Sequence, residues 1–174
     1  MKTFKKILIG LVVVLVLIAV VGLFLPGKVH VERSASINSS PDKVFALVGT
    51  MKNWELWSPW HKMDPNMKVT YFGPESGLGA GYSWESEKMG NGKLTITGYE
   101  PFNKINTDMD FMENGTAKAA FNFTVTTEGT NLSWSMDSDT KEKGGFMNVI
   151  GGYFAIFMKG ALAKEFDKGL ADIK

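Results

Sequence analysis

Histidine, carboxylate and glycine spacings decide what chemistry a chain of this size can support. Among 174 residues there are two histidines, His30 and His61, and no cysteine. The lack of cysteine excludes disulfides, thiolate nucleophiles, thiolate zinc sites and iron–sulfur clusters. Two histidines are too few for a multi-histidine metal centre, so neither a metal nor another cofactor is expected. His61 follows Trp57-Ser58-Pro59-Trp60 and precedes Asp64. An imidazole near a carboxylate can exchange a proton close to neutral pH. Nothing nearby completes a nucleophilic constellation, and a lone loop histidine is more often simply solvated. His30, early in a strand, is a weaker candidate still.

The glycine-rich and acidic motifs point the same way. Gly77-Leu78-Gly79-Ala80-Gly81-Tyr82 lacks the last glycine of a dinucleotide fingerprint and leads into a strand, so it reads as a hairpin loop. Asp137-Ser138-Asp139-Thr140-Lys141 opens like a calcium loop. It then places lysine at the third ligand position and Asn148 where glutamate is needed. The formal charge of the chain is +1. Three of its 19 basic residues lie in 1–27, leaving 16 against 18 acidic residues and a charge of −2 for the remainder. Nucleic acid is therefore not an expected partner.

The elements that position these residues fall into two parts. Ile7 to Leu25 is apolar without interruption, preceded by Lys2, Lys5 and Lys6 and closed by Pro26-Gly27-Lys28. Nineteen helical residues span roughly 28 Å, about the hydrocarbon thickness of a bilayer. A cleaved signal usually has a shorter apolar core, about 7–15 residues, and a small-residue cleavage site. Residues 1–27 are accordingly expected to be an uncleaved transmembrane anchor and 28–174 a folded domain. The lysine flank places the N-terminus in the cytoplasm and the domain on the far side of the membrane.

Within the domain, Val29–Ile37 alternates as a strand and runs into Ser40-Pro41-Asp42, a helix start. Short helices are expected through Val44–Val48 and Met51–Trp57. Period-two segments follow at 67–73, 79–87, 93–100, 104–113, 116–128 and 131–140, with Asn114-Gly115 as the strongest hairpin signal. From Phe146 to Ile173 apolar residues recur at three and four, which predicts one long amphipathic helix. The fold class is α+β: seven antiparallel strands and a long C-terminal helix.

This order, with Asn38-Ser39-Ser40-Pro41-Asp42-Lys43-Val44-Phe45, the tract Trp54-x-x-Trp57-Ser58-Pro59-Trp60, Asp64-Pro65, Tyr71-Phe72-Gly73 and Trp84, resembles the SRPBCC or START-like superfamily. Its members include polyketide cyclases and lipid-transfer proteins. The resemblance covers about 29–174 and implies a helix-grip fold, a curved sheet wrapped around the last helix with a cavity between them. It also implies a hydrophobic small molecule or lipid as the partner. The residues expected to line that cavity are Tyr82, Trp84, Phe111, Phe121, Phe123 and Trp134 from the strands. Tyr153, Phe157 and Met158 come from the helix. A binding protein is the leading expectation. A cyclase-like enzyme, with His61, Tyr71 or Glu85 as acid–base candidates, and a tethered interaction module with a packed interior are the alternatives.

Overall fold

The computed structural model describes residues 2–174. Helix α1 (Lys2–Phe24) carries the apolar run, and its side chains are exposed along nearly its whole length. By length and composition Thr3–Phe24 is able to cross a membrane, a test that a signal sequence also passes. Strand β1 (Lys28–Ile37) follows three residues later. Pro41, in the first turn, opens α2 (Pro41–Gly49), a position that suits its fixed φ and missing N–H. A 3₁₀ turn at Met51–Asn53 then leads into α3 (Trp54–Trp57) and α4 (Pro59–Met63). Sequence reading ends helical structure before Pro59. Here Pro59 instead starts a further turn, with Ser58 extended as the break.

Six strands follow: β2 (Lys68–Phe72), β3 (Gly81–Ser86), β4 (Gly90–Glu100), β5 (Lys104–Asp110), β6 (Thr116–Thr126) and β7 (Gly129–Asp139). With β1 they form one antiparallel sheet in the order β1-β7-β6-β5-β4-β3-β2. From β2 onward consecutive strands pair through short links, and the helical segment from α2 to α4 carries the chain from β1 at one edge to β2 at the other. A register shift between Ile96 and Gly98 bulges β4.

Asn114-Gly115 does not make the two-residue hairpin its sequence suggests. Strand β5 stops at Asp110, whose carboxylate accepts the Met112 N–H at 2.8 Å, and Met112 takes a φ of 59°. The connection to β6 is a longer loop closed by the Phe111 N–H on the Gly115 carbonyl.

Helix α5 (Met147–Ile173) lies across the inward face of the sheet. Its second half is the centre of the core. Phe166 is fully buried and stacks on Trp134, ring centroids 3.9 Å apart and planes within 6°. Trp54 and Trp57 close the cluster from the other side, edge-on to Phe121. Their indole N–H groups donate to the Val48 and Leu47 carbonyls at 2.8 and 2.9 Å, so neither buried donor is orphaned. The first half of α5 packs instead against α1. Close approach there depends on glycine: a Cβ on Gly22 would meet the Val149 carbonyl at 2.0 Å, and one on Gly152 would meet the Leu25 side chain at 2.3 Å.

Candidate functional site

The inward face of the sheet is filled at one end and open at the other. At the filled end Phe123 packs on Phe45, and Phe121 and Trp134 lie under Trp57. Towards the start of β6 the inward residues shrink to Ala119 and Ala117. Ala117 pairs with Met109 on one side and Ser138 on the other, and both of these line a cavity of about 420 Å³. Small inward residues beside flexible ones leave the sheet and helix apart instead of in contact.

Tyr82, Trp84, Leu94, Met109 and Met136 form the sheet wall of this cavity. Met147, Phe154, Met158 and Leu162 of α5 form the opposing wall, while Trp54, Trp60, Met63 and Met67 close one side from the helical turns. Seven of the ten methionines line it. Thioether chains are unbranched and polarisable, and they reshape around apolar contents. One end is polar, with Asn114, Thr116, Ser138, Asp139 and Thr140. The Ser138 Oγ there is buried without a hydrogen-bond partner. This end lies beside the end of α1: Thr140 Oγ1 is 3.0 Å from the Gly27 carbonyl and 2.7 Å from the Gly151 carbonyl, either of which can accept its one proton.

Of the nine lining residues expected from sequence, the structure brings Tyr82, Trp84, Phe111 and Met158 to the cavity wall. Phe121, Phe123 and Trp134 face the same way but are sealed inside the solid core. Tyr153 and Phe157 stand outside: Phe157 is 73% exposed, and the Tyr153 hydroxyl donates to the Ile18 carbonyl of α1 at 2.9 Å. Strand alternation places Met109 and Met136 inward without naming them as lining residues, and it does not reach Met63, Met67, Met147 or Phe154. The crowding of methionine into loops, strand centres and the first half of α5 was the available signal.

The three acid–base candidates are not brought together. His61 lies behind Tyr82, ring centroids 5.5 Å apart, and both its ring nitrogens are buried without partners. Burial pulls its pKa below the ordinary value against the opposing pull of Glu55. The Tyr71 hydroxyl donates to Glu55, and burial followed by that carboxylate pushes its pKa well up. Glu85 sits apart in an open polar groove with Asp64, Lys68 and Lys88. Asp64 there accepts from Ser86 Oγ at 2.6 Å, which holds its carboxyl below the usual range. His30 Nδ1 is 2.7 Å from Asp137 on the outer face. Within the apolar wall the titratable side chain is Tyr82, and burial pushes its pKa far up, so it keeps its proton as a hydrogen-bond donor.

The model of the polyketide cyclase/dehydrase and lipid transport family matches residues 28–174, and the chain belongs to that family. Solved structures share the fold at low identity. The protein of unknown function SA2116 from Staphylococcus aureus superposes with a TM-score of 0.63 and 14% identity, over 84% of this chain and 93% of that one. CV1439 from Chromobacterium violaceum gives 0.57 and 9%, over 83% and 94%. The di-domain aromatase/cyclase StfQ of the steffimycin biosynthetic pathway gives 0.60 and 13%, over 84% of this chain and 49% of that protein. No curated protein matches the chain.

Proposed function

We propose that the chain is a membrane-tethered binding protein for a hydrophobic or amphipathic small molecule, a single-chain lipid among the candidates. On this reading residues 1–27 are the anchor and residues 28–174 are the binding domain, held outside the cytoplasm. The observation that carries it is the cavity: about 420 Å³, within the range of small-molecule sites (roughly 300–1,000 Å³), with an apolar body and one polar end. No charged side chain interrupts the apolar body, which suits an alkyl or aromatic group, since an unpaired buried charge would be costly. The unpartnered Ser138 hydroxyl supplies a polar contact for a headgroup at the polar end. The family description and the cyclase relative StfQ support a hydrophobic ligand class.

The test uses the full chain in lipid nanodiscs with a diazirine-bearing fatty acid. After irradiation, adducts are expected on the β5 and β7 peptides that carry Met109 and Met136. Met109 and Met136 face inward and are buried, so an adduct on either side chain reports an acyl chain in the cavity. Adducts confined to α1 and to the outward residues Phe146, Ile150 and Phe157 would overturn the proposal.

A further inference from the structure

Helix α5 changes character halfway along. From Gly144 to Met158 it and its lead-in carry no charged residue. Phe146, Ile150, Tyr153 and Phe157 follow at intervals of four, three and four, so they form one stripe. The stripe faces away from the core: Phe146 is 72% and Phe157 73% exposed, with Ile150 and Tyr153 partly so. Continued by whole turns, the same stripe reaches Lys164 and Lys168, both exposed and charged. The outward face is therefore apolar beside α1 and ordinary beyond Lys159. A helix half that is uncharged on every face, with Asn148 its one exposed amide, is suited to an apolar medium. Single exposed apolar residues need no explanation, but a contiguous row of aromatic and aliphatic side chains does.

The position of α1 says what covers it. Tyr153 hydrogen-bonds to the Ile18 carbonyl, six residues before the end of α1 and hence roughly 9 Å inside it along the helix axis. Val149 approaches Gly22 in the last turn of α1, and Gly152 approaches Leu25 just beyond it. The apolar stripe is thus continuous with the exposed surface of the apolar helix and level with its last turns.

We propose that the first half of α5, through Phe146, Ile150, Tyr153 and Phe157, is immersed in the leaflet from which α1 emerges. The domain then lies on the bilayer as an embedded body, not at the end of a free tether. Met147, Phe154 and Met158, which line the cavity, belong to this same segment, so the helical wall of the cavity is also the membrane-facing wall. The inference rests on α1 remaining attached and spanning the membrane.

The native chain lacks cysteine, so a single introduced cysteine carries a nitroxide label without interference. Phe157→Cys and Ile150→Cys are compared in nanodiscs with Leu15→Cys in α1 and Val125→Cys, an exposed apolar site on β6. Collision with oxygen reports hydrocarbon, and collision with a nickel chelate reports water. The expected result is a shift of positions 150 and 157 towards the oxygen-rich behaviour of position 15, with position 125 in water. Position 15 in lipid with positions 150 and 157 in water would overturn the immersion while leaving the anchor intact. Position 15 in water would overturn the anchor and the immersion with it. Spin–spin broadening at 157 that disappears on dilution with unlabelled chain would assign the stripe to a second copy and also overturn the proposal.

Discussion

Lys141 Nζ stands 2.6 Å from the carbonyl oxygen of Leu25, and it also donates to the carbonyls of Gly22 and Leu23 at 2.9 and 3.2 Å. The last carbonyls of a helix lack intrahelical partners and carry the negative end of its dipole. A cation 116 residues further along the chain therefore caps α1 and fixes it to the domain. Thr140 and Tyr153 support the same junction through Gly27 and Ile18.

Lys141→Ala removes those contacts and leaves three carbonyls to water. Hydrogen bonds to a charged group contribute about 1.5–3 kcal/mol each when well desolvated, and this ammonium is partly exposed, so a total of about 1–3 kcal/mol is expected. At this chain length each kcal/mol lowers Tm by roughly 2–4 °C. Thermal unfolding of the full chain in nanodiscs measures it. Lys141→Arg should recover part of the loss, and an unchanged Tm in Lys141→Ala would show that the cap contributes nothing.

His61 should make the domain sensitive to mild acid. Its folded pKa lies below the ordinary 6.5, chiefly through burial, so the folded protein resists the proton that the unfolded chain accepts. Above about pH 6.5 neither state is protonated and His61 adds no pH dependence. As pH falls below that value the unfolded state gains the proton first, and stability declines by at most about 1.4 kcal/mol per pH unit. The decline ends at the depressed folded pKa. His61→Phe should flatten the urea-unfolding profile between pH 6.5 and 5. It should also not destabilise at pH 8, since it replaces two unpartnered buried nitrogens with carbon. A wild-type profile already flat across that window would refute the assignment.

Much of the fold was legible because period-two alternation survives burial. In β6 and β7 the inward set Phe121, Phe123, Leu132, Trp134 and Met136 follows directly from the alternating pattern. What alternation does not convey is depth along that face. Phe121 and Trp134 point the same way as Met136, yet the first two are covered by Trp54, Trp57 and Phe166 while Met136 borders the cavity. The covering residues come from short helical turns and the far end of α5, whose placement is a tertiary matter. Alternation carries β5 on to Glu113 because Phe111 and Met112 look like strand residues, whereas the strand ends at Asp110 and the positive φ at Met112 has no sequence signature.

Helix α5 shows the same limit in another form. Its apolar spacing correctly announces a long helix. In its first half, however, nearly every residue is apolar, so the three-and-four rule admits several stripes at once. Phe157 and Met158 are neighbours in sequence and about 100° apart around the helix, one outward and one in the cavity wall. Which is which depends on where α1 packs, and sequence periodicity does not contain that.

That adjacency gives the sharpest test of the binding reading. Met158→Trp places a larger, stiffer side chain into the helical wall and should narrow the cavity opposite Trp84 and Met109. The void can take up the added bulk, so overpacking, which costs about 1–3 kcal/mol in a filled core, should be mild here. Phe157→Trp adds bulk one residue away, on the exposed stripe, and leaves the cavity unaltered. Both variants keep an apolar side chain, so only the interior differs. In the diazirine fatty-acid experiment, Met158→Trp should lose most of the adduct on the Met109 and Met136 peptides, and Phe157→Trp should match wild type. Melting curves within a few degrees of wild type are expected for both, which separates occlusion from misfolding. Equal labelling in all three proteins would mean that the acyl chain reaches those strands by another route, and the cavity would not be the binding site.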